Sequence, residues 1–226
     1  MTLLPAIDLA ALAYFVVAWI GYAVAVEWRQ EHRGSLNARI HRYREVWMRR
    51  TLSREARMVD MQIMASLQNG TAFFASTSLL AVGGALTLMR STGDVVSVVE
   101  ALPFGIVTTP TLWAVKTVGL IVIFIYAFFK FAWSYRLFNY AAILLGATPH
   151  ASEAKKPYAK AAAQRVARMV TLAGRHFNRG QRAFFFALGY LGWFANAWVF
   201  IAATLAVLIV TVARQFGPGA RWVIDD

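Results

Sequence analysis

Long apolar blocks constrain the fold of this chain more than any other feature of its sequence. Four such blocks occur within 226 residues, and each comes close to or exceeds the roughly 20 residues with which an α-helix crosses a bilayer. The blocks cover about residues 7–26, 63–89, 112–129 and 183–212. We therefore predict an all-α fold, in which residues 1–226 form a single membrane domain built as a bundle of about four transmembrane helices.

The third block stays apolar well beyond residue 129, as far as about residue 146. Because Lys130 and Arg136 interrupt it, we predict that the span over 112–129 continues as an interfacial helix. Trp133 and Tyr140 would then lie among the lipid headgroups, where aromatic side chains collect. A re-entrant turn at 141–147 is the alternative that the sequence leaves open.

Basic residues are concentrated in two segments between the apolar blocks. Of 23 lysines and arginines, nineteen lie in residues 27–62 and 130–182, and the net charge is +12. Positively charged loops stay on the cytoplasmic side of a membrane. We therefore predict that both segments are cytoplasmic and that the N and C termini lie outside. Since this topology accounts for the positive charge, we expect no nucleic-acid partner.

The second basic segment contains a predicted amphipathic helix at about residues 159–182. Its arginines cluster on one side, and Val166, Met169 and Val170 lie on the other. Such a helix can lie in the membrane interface with its arginines toward anionic headgroups. It can equally pack its apolar side against the protein's own helices, and the sequence leaves both interpretations open.

The residue types that usually carry chemistry are scarce. The chain has no cysteine, which excludes disulfides and thiolate metal sites. None of the four histidines falls inside a predicted span, and none has a second histidine three or four residues away. We therefore expect no cofactor and no metal, and we identify no catalytic residue. This favours a non-enzymatic role without deciding it.

Lys116 is the one ionisable residue well inside a predicted span, and such a residue suggests function by default. Its amine could reach toward the outer surface, because it lies one to two turns from the start of its helix. The acids that could pair with it there are Asp8, Asp94 and Glu100. Alternatively, Lys116 could form a polar site with Asn69 and Asn196.

Small and polar residues form stripes on two of the predicted spans, and close helix packing in membranes uses such stripes. We predict helix-packing positions on the second span at Ser76 and Gly83. On the fourth span we predict them at Gly189, Gly192 and Asn196. A polar lining for a small pathway is the alternative for the second span.

Polar residues from several segments are predicted to meet at the cytoplasmic end of the bundle. They are Gln68, Asn69, Arg136, Asn139 and the Gln181-Arg182 pair. One interpretation is a network of hydrogen bonds that fixes the helix ends. The other is a pocket for a lipid headgroup or another anion, built on arginine.

Three of these polar segments resemble a known family. The chain reads QNGTAFFAST at 68–77, WSYRLFNY at 133–140 and NRGQRA at 178–183. In these segments it resembles the bacterial membrane-protein family catalogued as domain of unknown function 599, over roughly residues 8–216. The resemblance implies a multi-pass protein of the bacterial inner membrane without an agreed activity. It points to seven ligand or headgroup candidates: Gln68, Asn69, Arg136, Asn139, Asn178, Arg179 and Arg182.

Three functional classes are compatible with the sequence. The first is an inner-membrane accessory or interaction protein that docks to a larger membrane complex or to anionic lipid. The second is a small oligomeric transporter or channel, and the third is a lipid-modifying membrane enzyme. The expected partners are membrane lipids, anionic in character, together with a larger membrane complex or further copies of the chain.

Overall fold

The computed structural model describes residues 5–31, 36–90, 93 and 109–217, and this part of the chain is helical without a strand. The predicted all-α fold is therefore confirmed. The helices are α1 (Ala6–Glu31), α2 (Leu36–Thr51), α3 (Met58–Arg90), α4 (Pro110–Gly146), α5 (Pro157–Tyr190), α6 (Gly192–Ala195) and α7 (Ala197–Phe216), with a 3-10 turn at Ala151–Glu153.

Four of these helices are long and apolar enough to cross a membrane: α1 over Ala6–Trp28, α3, α4 and α7. The chain is therefore a multi-pass membrane protein by the length and composition of its helices. The expected partners Asp94 and Glu100 of Lys116 lie outside the described residues.

Helix α4 runs without interruption from Pro110 to Gly146. Thr109 caps its start by accepting a hydrogen bond from the Leu112 amide, and a proline at the first position suits the helical φ angle. Its 37 residues extend about 55 Å, well beyond the roughly 30 Å of a hydrocarbon core. Residues 141–146 continue the helix, so the alternative of a re-entrant turn there is wrong.

Helices α4 and α5 form an antiparallel pair on which two apolar cores are built. One core joins Phe131 of α4 and Phe186 of α5 to α1 and α7. The other joins Phe138 of α4 and Val166 of α5 to α2 and to the start of α3. The apolar side of the amphipathic segment in α5 therefore packs against the protein's own helices, which is one of the two interpretations left open above.

The apolar block at 183–212 is not one span, which departs from the expected path of the chain. Helix α5 ends at Tyr190, and Asn196 is extended, with φ −168° and ψ 172°. The Asn196 side chain accepts a hydrogen bond from the Val199 amide at 2.8 Å and so begins a new helix. Asparagine at this position therefore starts α7 as an N-cap rather than lining a continuous helix.

Helix α7 folds back along α5, so that its end returns to the level of the basic segments. Gly189 lies against Ala203, and a Cβ atom at Gly192 would lie 2.9 Å from the Val199 carbonyl oxygen. These two glycines permit the tight reversal. As a consequence, Arg214 lies at the same end of the bundle as Asn178, whereas the predicted single span would have placed them at opposite ends.

The face of α3 that packs against the bundle is also not the expected one. Met64, Thr71, Ser78 and Ala85 are buried, whereas Ser76 and Gly83 are exposed. Thr71 and Ser78 can be buried in an apolar interface because each hydroxyl donates a hydrogen bond to the carbonyl four residues earlier. Within one chain, Ser76 and Gly83 are therefore not packing positions.

Candidate functional site

A cavity of about 290 Å³ opens at the arginine-rich end of the bundle, where α1, α2, α5 and α7 meet. Most of the side chains that line it carry hydrogen-bond donors. The side chains that line it are Tyr22, Val26, Leu36, Asn37, Asn178, Gln181, Arg182, Phe185, Thr211, Arg214 and Gln215.

The charges around this cavity are unequal. The Arg179 Nε lies 2.9 Å from Glu27 Oε1, and an Arg182 terminal nitrogen lies 3.4 Å from the same oxygen. One carboxylate therefore faces two guanidinium groups, and Arg214 adds a third guanidinium from α7. The cavity is positively charged as a result.

Arg182 differs from Arg179 in its degree of burial. The Arg182 side chain is 11% exposed, against 36% for Arg179. Burial lowers the pKa of Arg182, and the Glu27 carboxylate acts in the opposite direction. Since a guanidinium stays protonated, Arg182 presents a positive charge that water solvates poorly. An additional anion in the cavity would stabilise it.

Hydrogen bonds hold the walls of the cavity in place. Asn178 donates to Asn37 Oδ1 at 3.1 Å and ties α5 to α2. The Tyr22 hydroxyl donates to the Thr211 carbonyl at 3.2 Å and ties α1 to α7. The buried Nε2 of Gln215 has no hydrogen-bond partner among the described residues. A donor of this kind suits an oxygen-rich ligand.

The seven sequence-predicted candidates fall into three separate places. Asn178, Arg179 and Arg182 lie at or beside this cavity. The other two groups, described next, lie on α3 and α4, at a distance from it along the α4–α5 pair.

Gln68 donates a hydrogen bond to Asn139 Oδ1 at 2.7 Å and connects α3 to α4. Asn69, the next residue, is exposed on α3. Arg136 is exposed on α4, where its guanidinium lies 5.8 Å from the Trp133 ring centroid and its Nε donates to the Tyr140 hydroxyl. For Gln68 and Asn139, the geometry fits the interpretation of a network that fixes helices.

Sequence reasoning missed four polar residues that line the cavity, Tyr22, Asn37, Arg214 and Gln215, and also Glu27, which pairs with Arg179 and Arg182 beside it. Tyr22 and Glu27 lie near the end of the first apolar block. The sequence gives only a weak indication that the Glu27 carboxylate pairs with arginines of a much later segment. Arg214 and Gln215 could not be found from the sequence, because only the reversal at Asn196 brings α7 back to this end.

Lys116 belongs to a second polar cluster, at the opposite end of the bundle. Its Nζ donates to the Trp193 carbonyl at 2.7 Å and lies 4.0 Å from Asp8 Oδ1, and its side chain is 6% exposed. The Trp193 indole N–H donates to the same Asp8 oxygen. Lys116 therefore pairs with one of its expected acids but is buried. Asn196 instead caps α7, so the alternative site with Asn69 and Asn196 does not form.

Trp193 lies in the turn between α5 and α7, so Lys116 and Asp8 hold the break in that helical hairpin. The Trp113 indole nitrogen, one turn before Lys116, is buried without a hydrogen-bond partner among the described residues. Its ring packs edge-on against Phe194 at 4.9 Å. The cluster thus satisfies a lysine and an acid but leaves one donor unused.

Histidine and acid side chains of the described segments form no group of three that could hold a metal ion. His41 of α2 instead lies in a basic environment beside α5. Burial, together with the positive charges of Arg44 and Arg175, lowers the pKa of His41 to about 4. His41 is therefore neutral at physiological pH.

The fold and the cavity define a class: a multi-pass α-helical membrane protein with a positively charged cavity at one end of its bundle. The family model described as "Protein of unknown function, DUF599" matches residues 10–219, and the chain belongs to this family. No curated protein and no solved structure matches the chain.

Proposed function

We propose that this protein is a membrane accessory protein that binds an anionic lipid headgroup in the cavity between α1, α2, α5 and α7. The observation that supports this most is the charge of the site: the Glu27 carboxylate faces Arg179 and Arg182, with Arg214 opposite. Arginine recognises phosphate by paired hydrogen bonds, and a headgroup phosphate reaches a site at this end of a bundle directly.

The proposal includes an orientation, in which the arginine-rich end of the bundle faces the cytoplasm of a bacterial cell. The concentration of basic residues supports it. Helix α5 runs from that end to the opposite one and α7 returns, so α5 is proposed to be a fifth crossing. The C-terminal end of α7 is then proposed to be cytoplasmic, whereas the sequence alone suggested the outside. The start of α1 is proposed to lie outside.

This orientation can be tested because the chain has no cysteine. Single cysteines would be introduced at exposed Ser53, Gly93 and Ala213 and treated with a membrane-impermeant maleimide. We expect labelling of intact cells at Gly93→Cys only, and of all three after permeabilisation. Labelling of Ala213→Cys in intact cells would contradict the proposed path of α7.

Headgroup binding can be tested by native mass spectrometry of the full chain in mild detergent with phosphatidylglycerol and phosphatidylcholine. We expect a preference for phosphatidylglycerol that Arg182→Gln weakens by about tenfold, the value of one charge-assisted hydrogen bond. Arg165→Gln is the matched control, since Arg165 is an exposed arginine of α5 away from the cavity. Equal weakening by both variants would refute a specific site.

The accessory role is proposed on the same basis, because a bound lipid and broad exposed apolar helix faces suit a protein that works beside others. Purification in mild detergent followed by mass spectrometry of the co-purifying proteins tests it. A stoichiometric partner complex is expected, and recovery of the chain with lipid alone would contradict docking to a larger complex.

Transport is a second candidate, favoured by the buried Lys116–Asp8 pair at the reversal between α5 and α7. Ionisable side chains buried within membrane helices are typical of transport pathways. The test is proton or ion flux in proteoliposomes, with Lys116→Gln compared with the wild type. Flux that depends on Lys116 would favour transport over the accessory role.

A further inference from the structure

An apolar groove adjoins the polar cavity at Arg214 and runs along α7. This groove has a volume of about 240 Å³ and lies between α5 and α7. Phe185, Thr211 and Arg214 line both the cavity and the groove. The cavity and the groove therefore adjoin, and a single ligand with a polar and an apolar part can occupy both.

The rest of the groove is formed by aliphatic side chains. Leu188 of α5 lies across from Ala206, Val207 and Val210 of α7. Leu188 is 48% exposed and Val210 is 50% exposed, so the groove opens to the side of the bundle rather than into its core. On a membrane-spanning helix that side is occupied by hydrocarbon chains.

The dimensions and direction of the groove fit one hydrocarbon chain. Eight residues separate Arg214 from Ala206, which corresponds to about 12 Å along the helix axis. Because the Arg214 end of α7 lies at headgroup depth, the groove leads from there toward the middle of the bilayer.

We infer that the cavity and the groove together bind one glycerophospholipid, with its phosphate at Arg182 and Arg214 and one acyl chain between Leu188 and Ala206. This inference rests on the proposed function and specifies its ligand. The phosphate alone could come from a soluble compound, but the groove commits the site to a lipid, since only a ligand that carries a chain can make packing contacts along it.

Three probes separate the contributions of headgroup and chain: phosphatidylglycerol, its single-chain lyso form, and glycerol phosphate. Ala206→Trp fills the groove, and Leu205→Trp places the same ring on the neighbouring, exposed position outside it. We expect Ala206→Trp to weaken both lipids about tenfold, because the ring takes the place of the acyl chain and removes its packing contacts, and to leave glycerol phosphate unchanged. Leu205→Trp should match the wild type for all three probes.

The outcomes distinguish this inference from the proposed function. If Ala206→Trp and Leu205→Trp bind lipid equally while Arg182→Gln binds less, the groove is not used and the headgroup site stands. If Arg182→Gln has no effect on any probe, the headgroup site itself is wrong. If glycerol phosphate binds as tightly as the lyso lipid, the acyl chain contributes nothing and the inference is overturned.

A second measurement avoids the bulky substitution. A photoreactive benzophenone maleimide attached to Ala206→Cys should cross-link the lyso lipid and add its mass to the protein. The same reagent on Leu205→Cys should give at most a small fraction of that product. Equal cross-linking at the two positions would show ordinary contact with bulk lipid and would overturn the inference.

Discussion

Replacement of Lys116 by methionine tests whether the buried pair holds the helical hairpin of α5 and α7. The Lys116 and Asp8 side chains are 6% and 10% exposed, so solvent screens their interaction only slightly. Removing one partner leaves the other charge buried, which typically costs about 3–5 kcal/mol. The hydrogen bond from Lys116 to the Trp193 carbonyl is lost as well, and it falls within the same cost.

Asp8→Asn together with Lys116→Met provides the decisive comparison. If the Asp8 charge is what makes Lys116→Met harmful, removing both charges should recover about 2 kcal/mol or more relative to the sum of the single changes. Lys130→Met is the matched control, because Lys130 contacts the Tyr126 ring about four turns further along α4 and lies outside the buried cluster.

Reversible unfolding in mixed micelles of a mild detergent and dodecyl sulfate measures these free energies. We expect Lys116→Met to lower the free energy of unfolding by about 3 kcal/mol. A variant as stable as the wild type, or single effects that simply add in the double variant, would refute the reasoning. In that case the Trp193 carbonyl and the Asp8 carboxylate would be satisfied without the lysine.

The sequence predicted the helical class and three of the apolar helices because hydropathy over 20 residues reflects the bilayer directly. Hydropathy does not predict the structure of the fourth apolar block. A run of 30 apolar residues reads as one long span, and only the N-cap geometry of Asn196 and the close approach at Gly192 reveal a reversal. Both depend on contacts between residues that hydropathy treats as interchangeable.

The candidate site was predictable only in part, for the same reason. Asn178, Arg179 and Arg182 stand together in one segment, and their spacing places them on neighbouring turns of one helix. Arg214 reaches them through the reversal, so no local pattern connects it to them. Ser76 and Gly83 are exposed within one chain, because small size indicates tolerance of close packing and not the presence of a partner.

Three further predictions follow from named contacts. Gly192→Ala should destabilise the fold by about 1–2 kcal/mol, because the added Cβ would meet the Val199 carbonyl oxygen. Gly83→Ala is the control and should be neutral or stabilising, because the space around Gly83 is open. Unfolding in mixed micelles measures both variants. The free energy of unfolding should fall as the pH drops from about 6.5 to about 4, because the depressed pKa of His41 keeps the folded state unprotonated there while the unfolded chain takes up a proton. His41→Gln should reduce the dependence of the free energy of unfolding on pH in that window. An unchanged dependence on pH would contradict this prediction. Glu27→Gln should tighten binding of phosphatidylglycerol, because it frees the guanidiniums of Arg179 and Arg182. Glu27 is 46% exposed, so solvent screening limits the gain in binding free energy to about 1 kcal/mol, which is a factor of about five in affinity measured by native mass spectrometry. Weaker binding by Glu27→Gln would mean that the carboxylate orients the arginines for the ligand, and the cavity would then need Glu27 in place instead of competing with it.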